Sequence, residues 1–357
     1  MKKSLTVLGA NALFLLTMLM VITLGSAIQL LNLSLGLIVT EVLLIALPAL
    51  LFLHGRKIPL KEGLRLNPIR PLTALLCVLL GFATFMFSIL IEAIMAQLTG
   101  MASVPLPEGS LPKGVLDSIL YFIALAAAAP ICEEIMFRGA IQGAYEKHRP
   151  AAFAILITAV MFAFYHFRVS GLPALLPVAF ILGYVAWRTH SIYTSMLIHF
   201  GMNATSGANT LFAIHTGAGL LFLSLWTMLA GIPAAAVLIF AITRLHPTPA
   251  VDPAAEAEPG PGASASPRRT WLGAYWPLLG AGLLYLSVAG LTVAASLSSR
   301  LNMSTNVSYY LPRIEAPVDS RYQVTDRSGK VVGELTCRIT PQGSRFSLDC
   351  TRTMQAY

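Results

Sequence analysis

Residues 130–140 read PICEEIMFRGA, which sets Glu133, Glu134 and Arg138 into a run of otherwise uncharged residues. Two further segments of the same kind follow: FAFYH, ending at His166, and HFGMN, holding His199 and Asn203. A charged side chain at membrane depth costs about 2.5–3.5 kcal/mol on insertion scales, so such groups need partners or a task. Carboxylate, imidazole and carboxamide together can take a proton from water, return it to a leaving group and aim donors at a developing oxyanion. That is hydrolytic chemistry, and it requires three separate segments to meet.

Spacing supports the meeting. Glu134 and Arg138, Phe162 and His166, and His199 and Asn203 are each four residues apart, so each pair shares one helix face. Glu133 points about 100° away from Glu134, which leaves one glutamate for Arg138 and the other for a different neighbour. Counted at about 1.5 Å per residue from helix ends near 145, 150 and 190, Glu133 lies roughly 18 Å deep, His166 roughly 24 Å, His199 roughly 14 Å and Asn203 roughly 20 Å. Helices running in opposite directions thus deliver these groups to a common level near the bilayer centre.

The elements that carry them follow from composition. Of 357 residues, 56% are hydrophobic and only 11% charged, against about 25% charged in ordinary soluble domains. Spans of about 20 apolar residues fall near 5–26, 33–53, 71–97, 114–132, 151–167, 172–187, 191–206, 217–243 and 271–297. The first is long for a signal core and reads as a retained helix. The net charge of +8 lies in short segments beside the spans, which indicates topology rather than nucleic-acid binding. Placing Lys2 and Lys3, the basic loop 54–70, Lys147 and Arg149, Arg188, and Arg268 and Arg269 inside gives a multi-pass protein of the cell membrane. Its N-terminus is then cytoplasmic and its C-terminal tail external; Arg168 is the one basic residue on the wrong side.

Residues 246–270, rich in Pro, Ala, Gly and Ser, read as a cytoplasmic linker. They divide an eight-helix unit, 1–245, from a ninth helix, 271–297, and an external tail, 298–357. The tail alternates apolar and polar residues between turn signals, as a small β-meander does. A two-residue turn at Gly343 and Ser344 would set Cys337 opposite Cys350, a disulfide candidate in an oxidising compartment. Cys77 and Cys132 sit within apolar spans and read as buried small residues. The loop 54–70, with leucines among its basic residues, is expected to lie on the inner leaflet.

The ordered set Glu-Glu-x-x-x-Arg (133–138), Phe-x-x-x-His (162–166) and His-x-x-x-Asn (199–203) resembles the three motifs of the CAAX-processing and bacteriocin-processing family of intramembrane proteases, known as CPBP or Abi. The resemblance covers a motif core of 115–206. It implies an all-α polytopic membrane protein, an eight-helix bundle extended here by a ninth transmembrane helix and a β-rich tail. It also implies a glutamic endopeptidase acting on a membrane-embedded peptide or prenylated protein in the lipid bilayer. Carried over, Glu133 and His166 activate water, His199 and Asn203 stabilise the oxyanion, and Glu134, Arg138 and Phe162 support them, with no cofactor. Three other readings stand beside it. One is a zinc-dependent protease with Glu133, His166 and His199 as ligands, although no His-Glu-x-x-His is present. The others are a transporter, for which no second polar cluster appears, and a non-catalytic self-immunity or scaffold protein.

Overall fold

The computed structural model describes residues 6–99, 112–216, 224–246, 271–305, 318–325, 331–342 and 345–354. Among these, each apolar run is a helix: α1 (Val7–Leu31), α2 (Leu33–Gly55), α3 (Pro71–Thr99), α4 (Gly114–Glu146), α5 (Ala151–Tyr165), α6 (Leu172–Thr189), α7 (Ile192–Thr216), α8 (Leu225–Leu245) and α9 (Trp271–Thr305). Seven of them are long and apolar enough to cross a membrane. Helix α5 is short at 15 residues, and α7 is diluted by Thr, Ser, His and Asn. The chain is an all-α polytopic membrane protein with a small sheet following its last helix.

Helix ends follow local chemistry. The Asn32 side chain accepts from the Leu35 N–H at 2.8 Å, a capping contact that starts α2 one residue after α1 ends. The largest departure from expectation is α4, which continues through Glu133, Glu134 and Arg138 to Glu146 instead of stopping near 132. Glu134 and Arg138 pair with each other inside the protein, so the helix continues through them. Among the described residues, four segments are π-helical: Val21–Gly25, Thr40–Ala46, Ala124–Ala128 and Ile135–Gln142. Thr40–Ala46 and Ala124–Ala128 each end two residues before a proline, Pro48 and Pro130. A proline has no N–H to close the preceding turn, so the ladder widens there.

Glycines set the approach of α3 and α7. A Cβ on Gly81 would meet the Ile198 carbonyl and the Met202 nitrogen, and one on Gly201 would meet the Val78 carbonyl. Backbone therefore lies on backbone, the close approach that small residues permit between membrane helices, and α7 is fixed at the height of His199. Gly81→Ala is expected to destabilise the protein by about 1–3 kcal/mol through overpacking. Gly282→Ala should be neutral, because nothing lies within 4 Å of a Cβ there; thermal unfolding in detergent compares the two.

One end of the bundle gathers the basic segments. Arg65 bonds Glu146 at 2.8 Å and the Arg138 carbonyl, Asn67 bonds the His190 carbonyl at 2.6 Å, and Ser191 bonds the Asn67 carbonyl at 2.6 Å. The 54–70 loop is thus tied into the protein, with Ile58 and Leu64 buried in the core instead of lying wholly on lipid. Arg168, the charge on the wrong side, pairs with Glu92 at 3.0 Å. In its described part, residues 271–291 of α9 belong with the bundle: Asn11 on α1 donates to the Ala274 carbonyl at 2.9 Å, and Tyr285 stacks on Phe164.

The second unit, Thr292–Tyr357, contains an antiparallel meander of β1 (Val318–Thr325), β2 (Val331–Gln342) and β3 (Arg345–Met354) in the order β1-β2-β3. Gln342 pairs with Arg345, and Cys337 stands opposite Cys350 with a disulfide between them. The turn at Gly343 and Ser344, most of the 246–270 linker and the first five residues lie outside the described residues.

Candidate active site

Glu134 is the fixed point of the site. Its Oε1 accepts from Nη1 of Arg138 at 2.9 Å and from Nδ1 of His199 at 3.1 Å, and the carboxylate has 0% exposure. The second guanidinium arm of Arg138, Nη2, donates to the Ala179 carbonyl at 3.0 Å, and the group lies 4.5 Å over the Phe162 ring. A fully buried arginine is tolerable when paired and hydrogen-bonded. The pair is therefore a post between α4, α6 and α7 that orients the next residues.

His199 stands between the two glutamates. With Nδ1–H donated to Glu134, its Nε2 faces Oε2 of Glu133 at 3.9 Å, beyond hydrogen-bond length. Glu133 Oε2 is buried and has no hydrogen-bond partner among the described residues. An acceptor held in place and left unpaired is a group able to bind a water proton.

His166 closes α5. Its Nδ1 donates to the Phe162 carbonyl at 2.8 Å, and the two rings lie 4.7 Å apart. This bond fixes the tautomer and leaves Nε2 as an acceptor. The next residue, Phe167, has φ of 51° and ends the helix, so the imidazole sits at a terminus and not along a packed face. Phe162 touches Arg138, His166 and His199 together.

Asn203 donates from Nδ2 to the Leu125 carbonyl at 3.0 Å. In a π-helical turn a carbonyl pairs with the N–H five residues on; for Leu125 that residue is Pro130, which has none. The side chain of Asn203 therefore completes α4 and fixes the carboxamide, while the remaining amide hydrogen is available to a ligand.

A cavity of about 770 Å³ joins these groups: Glu133, His166, His199, Asn203 and Phe162 all line it. Its volume is in the range of a small-ligand site. The wall runs on to Glu92 and Arg168, the pair away from the basic end of the bundle. Among the described residues, no three His, Cys, Asp or Glu side chains are grouped as a metal-ligand set.

Residues 115–205 match the family model described as Type II CAAX prenyl endopeptidase Rce1-like. That segment is similar to an Rce1-like CAAX protease domain. It takes in all three motifs and about a quarter of the chain, and with its apolar helices it supports an intramembrane, CAAX-type endopeptidase. No curated protein and no solved structure matches the chain. The Rce1-like segment stops before α8, α9 and the meander, so those parts gain nothing from it.

The motifs find Glu133, Glu134, Arg138, Phe162, His166, His199 and Asn203, and the fold brings all seven together. They pass over Glu41 of α2, which is 6% exposed and lines the same cavity. The signal is present in the sequence: LIVTEVLLIA holds a lone carboxyl in an apolar span.

Proposed function

We propose that this protein is an intramembrane glutamic endopeptidase that hydrolyses a membrane-associated peptide with a water activated by Glu133 and His166. The observation that carries the proposal is Glu133 lining the cavity beside Nε2 of His199, its Oε2 without a hydrogen-bond partner among the described residues. Glu133 takes a proton from the water, and His166, with Nε2 as acceptor, shares its orientation. As the carbonyl becomes an oxyanion, Asn203 supplies one N–H. His199, its ring held by Glu134 through Nδ1, turns its Nε2 edge to the same oxygen. The proton on Glu133 then passes to the leaving nitrogen. Arg138, Glu134 and Phe162 hold the imidazoles in place.

The N-terminus is cytoplasmic and the meander external in this reading, supported by the basic segments collecting at one end of the bundle. The cavity lining runs toward the opposite end, which admits either a leader-type peptide or a prenylated one from the bilayer.

Membranes holding the wild type or Glu133→Gln, compared by proteomics, should differ in at least one peptide product that only the wild type releases. An identical product set would turn the reading toward a binding or scaffold role. The mechanism is proposed without metal. Cleavage is expected to persist in a chelator; loss restored by zinc would move the chemistry to a metal.

A further inference from the structure

The mechanism above leaves one buried carboxyl of the cavity wall, Glu41, without a role. Glu41 projects from the π-helical turn Thr40–Ala46 of α2, where wide turns often mark functional positions. It is buried, lines the cavity with Glu133, His199 and Asn203, and its Oε2 has no hydrogen-bond partner among the described residues. Unlike Glu134, it has no ion pair with a cation among those residues. An unpaired carboxyl at membrane depth is costly and calls for an explanation beyond packing.

Position supplies the explanation. The Thr40–Ala46 turn and α7 both pack on Ala129–Glu134 of α4. Glu41 and the His199–Asn203 pair therefore reach the cavity from two different helices beside Glu133. In a trans peptide the C=O and N–H point in opposite directions. A peptide whose carbonyl faces the donors of α7 turns its N–H away from them and needs an acceptor on another wall.

We propose that Glu41 is that acceptor, holding the N–H of the scissile amide through its carboxylate. The proposal rests on the endopeptidase reading. The steps balance without another reactant. The water oxygen bonds the carbonyl carbon while its proton goes to Glu133. The C–N bond then breaks, and the nitrogen takes that proton from Glu133, leaving as an amine still held by Glu41. With its N–H held by Glu41, the nitrogen can turn its lone pair toward Glu133.

The test uses purified full-length protein in detergent and an S-farnesyl-cysteine peptide with a three-residue aliphatic tail, joined to the cysteine by an amide or by an ester. An ester has no N–H to hold. Glu41→Met should lower kcat/KM for the amide by about ten- to a hundredfold, as loss of a hydrogen bond to a charged group does. It should leave the ester within about twofold of the wild type, and Glu41→Gln, which keeps an acceptor oxygen, should recover part of the amide activity. Equal loss on both substrates, or no loss on either, would overturn the assignment to the leaving nitrogen. A wild type inert to both substrates, or a Glu133→Gln protein as active as the wild type, would sink the endopeptidase reading itself and this inference with it.

Discussion

Glu133→Gln is expected to reduce peptide hydrolysis by about 10²- to 10⁴-fold, the contribution of a positioned general base, while leaving the fold at wild-type stability. Both halves come from one observation. Oε2 of Glu133 is buried without a hydrogen-bond partner among the described residues, so replacing the carboxylate with an isosteric carboxamide removes a base and breaks no bond seen at that oxygen. Nε2 of His199 is 3.9 Å away, beyond hydrogen-bond length. Hydrolysis rates and thermal midpoints of the same preparation check it. A large fall in stability would mean that Glu133 is a structural residue and that its open acceptor is incidental.

Arg138→Met is expected to do the opposite, lowering stability by about 3–5 kcal/mol, the cost of leaving a buried charge unpaired. Glu134 and Arg138 are both fully buried and 2.9 Å apart. Without the guanidinium, the Glu134 carboxylate loses its cation and the Ala179 carbonyl loses its donor. The double variant Glu134→Gln with Arg138→Met removes both charges and should recover part of the stability. It should not recover activity, because His199 would have lost the carboxylate that orients its ring. Unfolding in detergent with parallel activity assays separates the two effects; a double variant as unstable as the single one would assign the loss to packing around Phe162 instead of to the charge.

Much of this was legible from residue types. The apolar runs give the helices nearly end to end, because lipid leaves a backbone no partner except itself. Spacing of four puts the motif pairs on shared faces, and the depth estimates bring Glu133, His166, His199 and Asn203 to one cavity. What the sequence does not reveal depends on long-range packing. The end of α4 lies beyond the apolar run because Glu134 and Arg138, which look like a boundary in the sequence, have partners on α6 and α7. The binding of Asn203 to Leu125 depends on a π-helical turn that only Pro130 hints at. Glu92 and Arg168 each look anomalous alone, and only the fold shows that they neutralise each other. Glu41 has the same origin: a single carboxyl on a helix outside the motifs shows no partner until the cavity is seen.

The most direct measurement of the central claim is a single turnover of the purified enzyme in water enriched in oxygen-18. Attack by a Glu133-activated water places one heavy oxygen in the new C-terminal carboxyl of the released peptide and none in the enzyme, and Glu133→Gln releases no such product. Label found in the carboxylate of Glu133, or the same labelled peptide released at the wild-type rate by Glu133→Gln, would contradict it.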